Sequence, residues 1–487
     1  MNYVSLSYYV FIIVLLILYY VLPKKYRWLI LLSGSAYFYY TVIENRMQLA
    51  IFAVSIVVSY EFGLLIYKQR HKKHINPHVR LATLWTGIII SALPLIASKA
   101  GDFICGSVIH KPLINWIVPV GLAFYSMQMV AYLIDVYRGS ILPQKDIFKY
   151  TLFTSFFPII IQGPISRYNQ LEKQLIEGHA YDIKNIMKGI QLVIWGFFLK
   201  MMIVDKAAVI VNAIFDNYQS YSGFYVLVAA VLYSIQLYAD FMSCVTISQG
   251  TAQMFGINII DNFYHPYFSP SVKEFWRRWH ISLSSWLRDY VYIPLGGNRK
   301  GKISKYCNLI ITFAVSGLWH GGRWKFLFWG ILHAMYQIAG ELTYNLRNRC
   351  FEKIQMPKDC NVRKIIETVF TFFFVMTAWI IFRAESLKTG IKMIINMFNT
   401  FNPWIFFDNS LFRLGLGQKE WEVLFMSIVV LFTVSFIQEK GIKIREWFAG
   451  QHLVVRWVIY LCAIWSIWIF GTYGFGFNAQ DFIYGGF

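Results

Sequence analysis

The sequence predicts an all-α polytopic membrane protein. Of its 487 residues, 57% are hydrophobic and only 14% are charged, against about 25% charged in an ordinary soluble domain. A soluble chain of this length could not hide so much apolar surface in one or two cores. Long apolar runs also alternate with basic loops, and roughly 20 helical residues cross a hydrocarbon core of about 30 Å. These observations exclude a soluble enzyme, a disordered chain, a coiled coil and a disulfide-stapled secreted domain.

Five spans are predicted in the N-terminal part, residues 1–140: Ser5–Leu22, Trp28–Val42, Gln48–Tyr67, Leu81–Ser98 and Trp116–Tyr137. We expect the first to be a span rather than a cleavable signal peptide, because its basic residues follow the apolar run. Basic residues collect in cytoplasmic loops, and these spans put every basic loop on one side, with the N-terminus outside. The loop after the third span is the most basic, and its histidines at positions 71, 74 and 78 are expected to be solvated; its basic residues are Lys68, Arg70, Lys72, Lys73 and Arg80.

The middle part, residues 150–345, has shorter and interrupted apolar runs. They are Ile147–Ile161, Ile186–Val204, Phe224–Ile247 and the 13 residues Cys307–Trp319. Prolines 158 and 164 interrupt one region. Short or broken runs indicate interfacial, re-entrant or protein-buried helices rather than complete spans.

The C-terminal part, residues 346–487, returns to clear spans. Phe326–Leu346 leads inward to it, and Ile365–Phe382, Trp421–Phe436 and Val454–Thr472 follow. In total we expect roughly 10 to 12 spanning or re-entrant helices and both termini outside the cytoplasm. No segment is long enough to form a separate soluble domain and no internal repeat is evident, so residues 1–487 are predicted to be one integral membrane domain surrounded by membrane lipid.

The charge balance and the cysteines favour structural roles. The 45 Lys and Arg against 25 Asp and Glu give a net charge of +20. In a soluble protein this excess would suggest nucleic acid, but the positive-inside rule explains it here, so no nucleic-acid partner is expected. The six cysteines contain no CxxC pair, and we expect neither a disulfide framework nor a metal site.

The polar residues concentrate between residues 262 and 333, and His320 is the main candidate for chemistry. Ionisable groups deep in a membrane are costly and often functional, and a histidine exchanges protons near neutral pH. The run that starts at Lys305 rises about 20 Å before it reaches His320, and Gly317, Gly321 and Gly322 surround it. The alternative is a histidine satisfied inside a helix bundle; the glycines and the polar cluster favour function.

His280 lies among arginines and tryptophans. Arg277 and Arg278 could bind phosphate, since a guanidinium forms bidentate hydrogen bonds; equally, they could anchor a helix at the interface together with the tryptophans. Arg288 and Asp289 are predicted to form a structural ion pair. For His333 we favour helix packing over a functional role.

Other catalytic signatures are absent from the sequence. There is no HExxH, no GxSxG nucleophile elbow and no Walker A loop. A covalent serine mechanism or ATP hydrolysis therefore lacks support.

The polar cluster resembles the membrane-bound O-acyltransferase superfamily (MBOAT), in particular its bacterial polysaccharide O-acetyltransferase branch. The resemblance rests on two strong segments, Trp276-Arg-Arg-Trp-His-Ile-Ser-Leu-Ser-Ser-Trp-Leu-Arg-Asp-Tyr-Val-Tyr-Ile-Pro-Leu-Gly-Gly-Asn-Arg299 and Gly317-Leu-Trp-His-Gly321. Two weaker segments support it, Phe156-Phe-Pro-Ile-Ile-Ile-Gln-Gly-Pro-Ile165 and Gln236-Leu-Tyr-Ala-Asp-Phe241. The 40-residue separation of His280 and His320 fits the two-residue active site of the superfamily. One departure is Thr246, at a position where the branch commonly has an acidic residue.

The resemblance implies an MBOAT-type bundle around a central tunnel, with residues 150–345 as the catalytic core. By similarity, His320 is the general base and His280 lines the same tunnel. The residues implied in substrate or donor binding are Arg277, Arg278, Trp279, Ser282, Trp319 and Asp240. No permanently bound cofactor is implied; acetyl-CoA or another acyl thioester is the donor substrate.

The implied function is transfer of an acyl group, acetyl in the first instance, from a cytoplasmic thioester to a cell-envelope polysaccharide hydroxyl. The site is the bacterial cytoplasmic membrane, and the transfer is direct or passes through an extracytoplasmic SGNH-hydrolase-like acyltransferase partner. Two alternatives stay open. One is D-alanyl transfer for teichoic acid from a carrier-protein thioester, and the other is a polytopic transporter without chemistry of its own.

Overall fold

The computed structural model describes residues 1–72, 76–105 and 118–473. Lys73 and His74 of the predicted basic loop, the start of the predicted Trp116–Tyr137 span and the C-terminus lie outside the described residues. The described residues form twenty α-helices, and their one isolated β-bridge joins Phe263 and Trp279. The all-α class is therefore confirmed.

The helices in the first half of the chain include one at each predicted span. They are α1 (Leu6–Val21), α2 (Arg27–Val42), α3 (Arg46–His71), α4 (Pro77–Phe103), α5 (Leu122–Arg138), α6 (Ile147–Ser155), α7 (Tyr168–Ile176), α8 (Ile183–Phe198), α9 (Asp205–Phe215) and α10 (Phe224–Met254). Two of them, α7 and α9, were not predicted. A π-helical turn, Leu199–Val204, joins α8 to α9.

The second half contains both long and very short helices. They are α11 (Val272–Arg278), α12 (Ile281–Leu287), α13 (Gly301–His320), α14 (Trp324–Leu342), α15 (Tyr344–Lys353), α16 (Asn361–Arg383), α17 (Leu387–Asn399), α18 (Gln418–Glu439), α19 (Ile444–Ala449) and α20 (Leu453–Phe470). A second π-helical turn, Arg288–Tyr292, follows α12. Short 3-10 turns lie at Lys24–Tyr26, Tyr218–Ser220, Pro266–Phe268, Pro403–Phe406 and Ser410–Arg413.

Among the described residues, six helices are long and apolar enough to cross a membrane: α3, α4, α10, α16, α18 and α20. All 18 residues of α20 carry exposed or partly exposed side chains, and large apolar side chains such as Trp468 are exposed on it. Such a surface suits lipid and not water. The chain is a multi-pass membrane protein.

All four runs of the middle part differ from their predicted bounds. Helix α8 covers Ile183–Phe198 where Ile186–Val204 was predicted, and α10 continues from the predicted end at Ile247 to Met254. Ile147–Ile161 is helical only as far as Ser155, because the residue before Pro158 is disfavoured in the helical region. The predicted length of Cys307–Trp319 was wrong, since α13 begins at Gly301 and has 20 residues. Its first turns contain Lys302 and Lys305, which hydropathy alone assigns to a loop.

The described chain divides into two compact units. The first comprises Met1–Val193 and Cys244–Asp261, and the second comprises Ile194–Ser243 together with residues 262–473. In the first unit, a Cβ on Gly189 of α8 would lie 2.5 Å from the carbonyl oxygen of Gly250 on α10. The hydroxyl of Tyr20 on α1 also donates to the carbonyl of Met254 at 2.7 Å. The end of α10 is therefore packed into the first unit, and every candidate site residue lies in the second.

Candidate active site

His280 lies at a sharp turn between two short helices. Ser271 caps α11 by accepting the Glu274 N–H, and α11 ends where Trp279 becomes extended. His280 itself has φ +46°, a left-handed conformation that costs a non-glycine residue about 1–3 kcal/mol. Its side chain is 1% exposed, so the turn holds a buried imidazole in a backbone conformation that the surroundings must enforce.

Main-chain hydrogen bonds from residues 262–264 enforce that turn. The N–H of Tyr264 donates to the carbonyl of Arg278, and the N–H of Ile281 donates to the carbonyl of Asn262, both at 2.9 Å. The Phe263–Trp279 bridge lies between them. The Asn262 side chain adds a further contact, since its Oδ1 accepts the Ser282 N–H at 3.0 Å and lies 3.4 Å from Nδ1 of His280.

His320 is the last residue of α13, and a close helix pair holds it. A Cβ on Gly317 would lie 2.2 Å from the Phe326 carbonyl oxygen, and one on Gly330 would lie 2.1 Å from the Phe313 carbonyl oxygen. Hydrogen alone fits at both glycines, so the backbones of α13 and α14 touch. His320 is 2% exposed, and the Gly321 N–H closes the helix on the Gly317 carbonyl at 3.2 Å.

Trp319 contacts both histidines. The distances between ring centroids are 4.8 Å to His320 and 5.9 Å to His280. The ring of Trp329 also lies edge-on to His320 at 5.1 Å. The ring of Phe241 lies edge-on to His280 at 4.6 Å. The structure therefore brings the two predicted histidines to one aromatic-walled region.

His333 is packed against Trp329, one of the rings that contact His320. It is fully buried, and the indole N–H of Trp276 donates to its Nδ1 at 3.2 Å. Its ring lies 4.9 Å from Trp329. These contacts are those of a packing histidine that supports the tryptophan beside His320.

Asp240 belongs to a buried ion-pair cluster. The Nζ of Lys200 lies 3.2 Å from Oδ1 of Asp240 and 3.3 Å from Oδ1 of Asp205. None of the three side chains is more than 3% exposed. Lys200 lies in the π-helical turn before α9, and the following residue on α10, Phe241, is the one that contacts His280.

The two arginines have different surroundings. Arg278 donates from Nε to Glu274 at 3.0 Å and from Nη1 to both Glu439 carboxylate oxygens at 2.9 Å. The side chain of Arg277 is 67% exposed, and its one ion pair with a described residue is that with Glu274 of its own helix, at 3.4 Å. Of the two, Arg277 has the more accessible guanidinium.

The remaining predicted residues are placed as follows. Trp279 and Ser282 are buried, and the Ser282 hydroxyl lies 3.5 Å from Nδ1 of His280. Arg288 and Asp289 form the predicted ion pair at 2.8 Å, but its side chains are 63% and 32% exposed, so it is a surface pair. Thr246, at the departure from the branch pattern, is buried in α10.

Sequence reasoning missed Asn262, Lys200 and Trp276 as partners of site residues. Lys200 carries the one available signal, because a lysine between apolar residues of a predicted span needs a counter-charge.

Throughout residues 1–72, 76–105 and 118–473, no group of three or more His, Cys, Asp or Glu side chains could hold a metal ion. An imidazole within hydrogen-bond reach of a substrate hydroxyl can accept its proton and return it later in the reaction.

Comparison with known proteins identifies the family. The sequence model of MBOAT, the membrane-bound O-acyltransferase family, matches residues 141–384. A probable alginate O-acetylase AlgI of Pseudomonas fluorescens is 34% identical over 385 residues, which are 78% of this chain and 72% of the relative. The peptidoglycan O-acetyltransferase of Helicobacter pylori is 32% identical over 76% of this chain and 73% of its own length.

A teichoic acid D-alanyltransferase of Bacillus subtilis is more distant, at 27% identity over 61% of this chain and 77% of its own length. The match of the family model includes every residue of the candidate site. The chain therefore belongs to the membrane-bound O-acyltransferase family, and it is a multi-pass membrane O-acyltransferase.

Proposed function

We propose that this protein transfers an acetyl group from a cytoplasmic thioester to a hydroxyl of a cell-envelope polysaccharide. The observation that carries the proposal is the pair of buried histidines, His280 and His320, in contact with the same indole ring of Trp319. Relatives named for O-acetylation of alginate and of peptidoglycan, both above 30% identity, support acetyl as the acyl group.

In the proposed reaction His320 is the general base. Its imidazole takes the proton of the acceptor hydroxyl as the oxygen attacks the thioester carbonyl, so that a C–O bond forms and the C–S bond breaks. The thiolate leaves and is protonated by the imidazolium. A positioned base of this kind contributes about 10²–10⁴-fold. The acyl group passes directly between the two substrates, and no acyl-enzyme is needed.

We place the donor on the cytoplasmic side, where acyl thioesters such as acetyl-CoA are made. Arg277 is the candidate to contact the donor phosphates, because its guanidinium is exposed and only weakly paired. The acceptor lies outside the cytoplasm. We propose the bacterial cytoplasmic membrane as the location, with both termini on the outer side. A route through an SGNH-like acyltransferase partner is the alternative to direct transfer.

His320→Gln tests this proposal. Purified wild-type protein, reconstituted in lipid, is supplied with acetyl-CoA and an acceptor glycan, and release of the CoA thiol is measured. We expect a loss of at least 100-fold in His320→Gln and no change in His71→Gln, whose ring lies exposed at the end of α3. Unaltered turnover in His320→Gln would remove the catalytic assignment.

The donor and the acceptor need two further comparisons. Turnover with acetyl-CoA is compared with turnover of a D-alanyl carrier protein, because the more distant relative is a teichoic acid D-alanyltransferase. Mass spectrometry of envelope glycans from cells with and without this protein identifies the acceptor. Movement of an intact solute without cleavage of any thioester would favour a transporter instead.

A further inference from the structure

The amide of Asn262 is held in one orientation. Its Oδ1 accepts the main-chain N–H of Ser282 at 3.0 Å. A main-chain N–H only donates, so the atom that faces it must be the amide oxygen and not the nitrogen. Asn262 is 1% exposed, which leaves water little access to compete for this contact.

The same oxygen determines which nitrogen of His280 carries the proton. Oδ1 lies 3.4 Å from Nδ1 of His280, and a carbonyl oxygen can interact favourably with Nδ1 only when that nitrogen is protonated. The Ser282 hydroxyl, 3.5 Å from Nδ1, can also accept from it. A neutral imidazole has one N–H, so Nε2 then carries the lone pair. Among the described residues, this buried Nε2 has no hydrogen-bond partner.

We propose that Asn262 is a positioning residue that fixes His280 as a hydrogen-bond acceptor at Nε2. Its side chain sets the tautomer, and its carbonyl, which accepts the Ile281 N–H at 2.9 Å, holds the left-handed turn that aims the ring. This inference rests on the proposed function. Within that function, His280 takes part in substrate recognition, because its Nε2 accepts a hydrogen bond from an O–H or N–H of a substrate.

A proton at Nδ1 also excludes one catalytic role for His280. A neutral His280 with its proton at Nδ1 has no N–H at Nε2 to offer to the oxyanion that forms when a thioester carbonyl is attacked. Stabilisation of that oxyanion must come from other donors. His280 and His320 are therefore not interchangeable, since one accepts a hydrogen bond throughout while the other takes and returns a proton.

Asn262→Asp is the informative variant. The carboxylate retains an acceptor for the Ser282 N–H and for Nδ1, and its negative charge favours the imidazolium form of His280. A protonated His280 cannot accept a hydrogen bond at Nε2, so kcat/KM of this variant should fall more steeply towards low pH than kcat/KM of the wild type does. Asn262→Leu removes both contacts and should lower kcat about 10–100-fold, as loss of such orienting partners does at other sites. Asn262→Ser, which keeps an oxygen, should retain more activity than Asn262→Leu.

Asn308→Leu is the matched control. It removes another buried amide of the same unit, one that donates to the Gly297 carbonyl at 3.0 Å and does not contact His280. We expect its pH profile to match that of the wild type, whatever its effect on the unfolding temperature.

The readouts distinguish the two proposals. If His320→Gln abolishes turnover but Asn262→Asp leaves the pH profile unmoved, the positioning role is wrong and the proposed function stands. If Asn262→Asp does not accumulate, equal activity of Asn262→Ser and Asn262→Leu contradicts the positioning role. If His320→Gln is unaffected, the proposed function itself fails.

Discussion

The Nζ of Lys200 lies 3.2 Å from Oδ1 of Asp240, and neither side chain is more than 2% exposed. Asp240, which the family resemblance implies in substrate or donor binding, is a partner in this buried ion pair. A second carboxylate, Asp205, lies 3.3 Å from the same ammonium. The sequence separation of 40 residues between Lys200 and Asp240 means that the pair ties the π-helical turn to α10, next to the residue that contacts His280.

Lys200→Met should destabilise the protein more than Asp240→Asn. Removing the ammonium takes from both buried carboxylates the cation that lies within 3.3 Å of each of them, and breaking a buried pair costs about 3–5 kcal/mol. Asp240→Asn leaves Lys200 paired with Asp205 and should cost less. The midpoint temperatures of thermal unfolding of the two detergent-solubilised variants show which of them loses more stability. The control is Arg288→Met, in the exposed pair with Asp289, which should change the free energy of unfolding by only about 0–1 kcal/mol. A larger loss of stability in Asp240→Asn than in Lys200→Met would contradict the prediction.

Gly317→Ala should disrupt the helix pair that carries His320. The new Cβ would lie 2.2 Å from a main-chain oxygen, and overpacking of this kind costs about 1–3 kcal/mol. Acyl transfer should fall with stability because His320 is displaced. Gly340→Ala on α14 is the control, since nothing lies within 4 Å of a Cβ there. It should be neutral or stabilise α14 by up to about 1 kcal/mol, and equal losses in both variants would rule out the close-contact explanation.

Trp276→Phe should reveal the hydrogen bond to His333. The variant keeps an aromatic ring but leaves the buried Nδ1 without its donor, at a cost of about 1–3 kcal/mol. A double-mutant cycle with His333→Phe measures the coupling, which should be at least about 0.5 kcal/mol for side chains in contact. Additive effects of the two substitutions would mean that the bond contributes nothing measurable.

The two neighbouring arginines should respond differently. Arg277→Gln should raise KM for acetyl-CoA several-fold and leave the unfolding temperature unchanged, because its guanidinium is exposed and weakly paired. Arg278→Gln should lower the unfolding temperature, because it loses charge-assisted bonds to Glu439, each about 1.5–3 kcal/mol at most. Steady-state kinetics and thermal unfolding on both variants separate the roles. A KM effect confined to Arg278→Gln would reverse the assignment.

The fold was largely predictable because the change from apolar to polar residues marks where a membrane-spanning helix begins and ends. The predicted Trp28–Val42 differs from α2 by one residue, at Arg27. Prediction failed where polar residues continue a helix, as Lys302 and Lys305 do in α13. A hydropathy pattern cannot distinguish a basic helical turn from a basic loop.

The candidate site was predictable in part. His280 and His320 were singled out from sequence, and the structure brings both to Trp319. The partners were not predictable, because Asn262 and Lys200 act through contacts across 18 and 40 residues of sequence. Periodicity carries no information about such contacts, and a polar residue in an apolar run indicates only that a partner exists.

The division of α10 has a consequence for biosynthesis. Its 31 residues extend about 46 Å, and the boundary between the compact units falls after Ser243, inside the helix. The described residues of the first unit therefore lie in two stretches of sequence with 50 residues of the second unit, Ile194–Ser243, between them. During synthesis from the N-terminus, the first unit cannot be completed until that part of the second has already left the ribosome. Chains that stop before Gly250 should lack both the packing of Gly189 on Gly250 and the bond from Tyr20 to Met254, and they should be targets for membrane quality control.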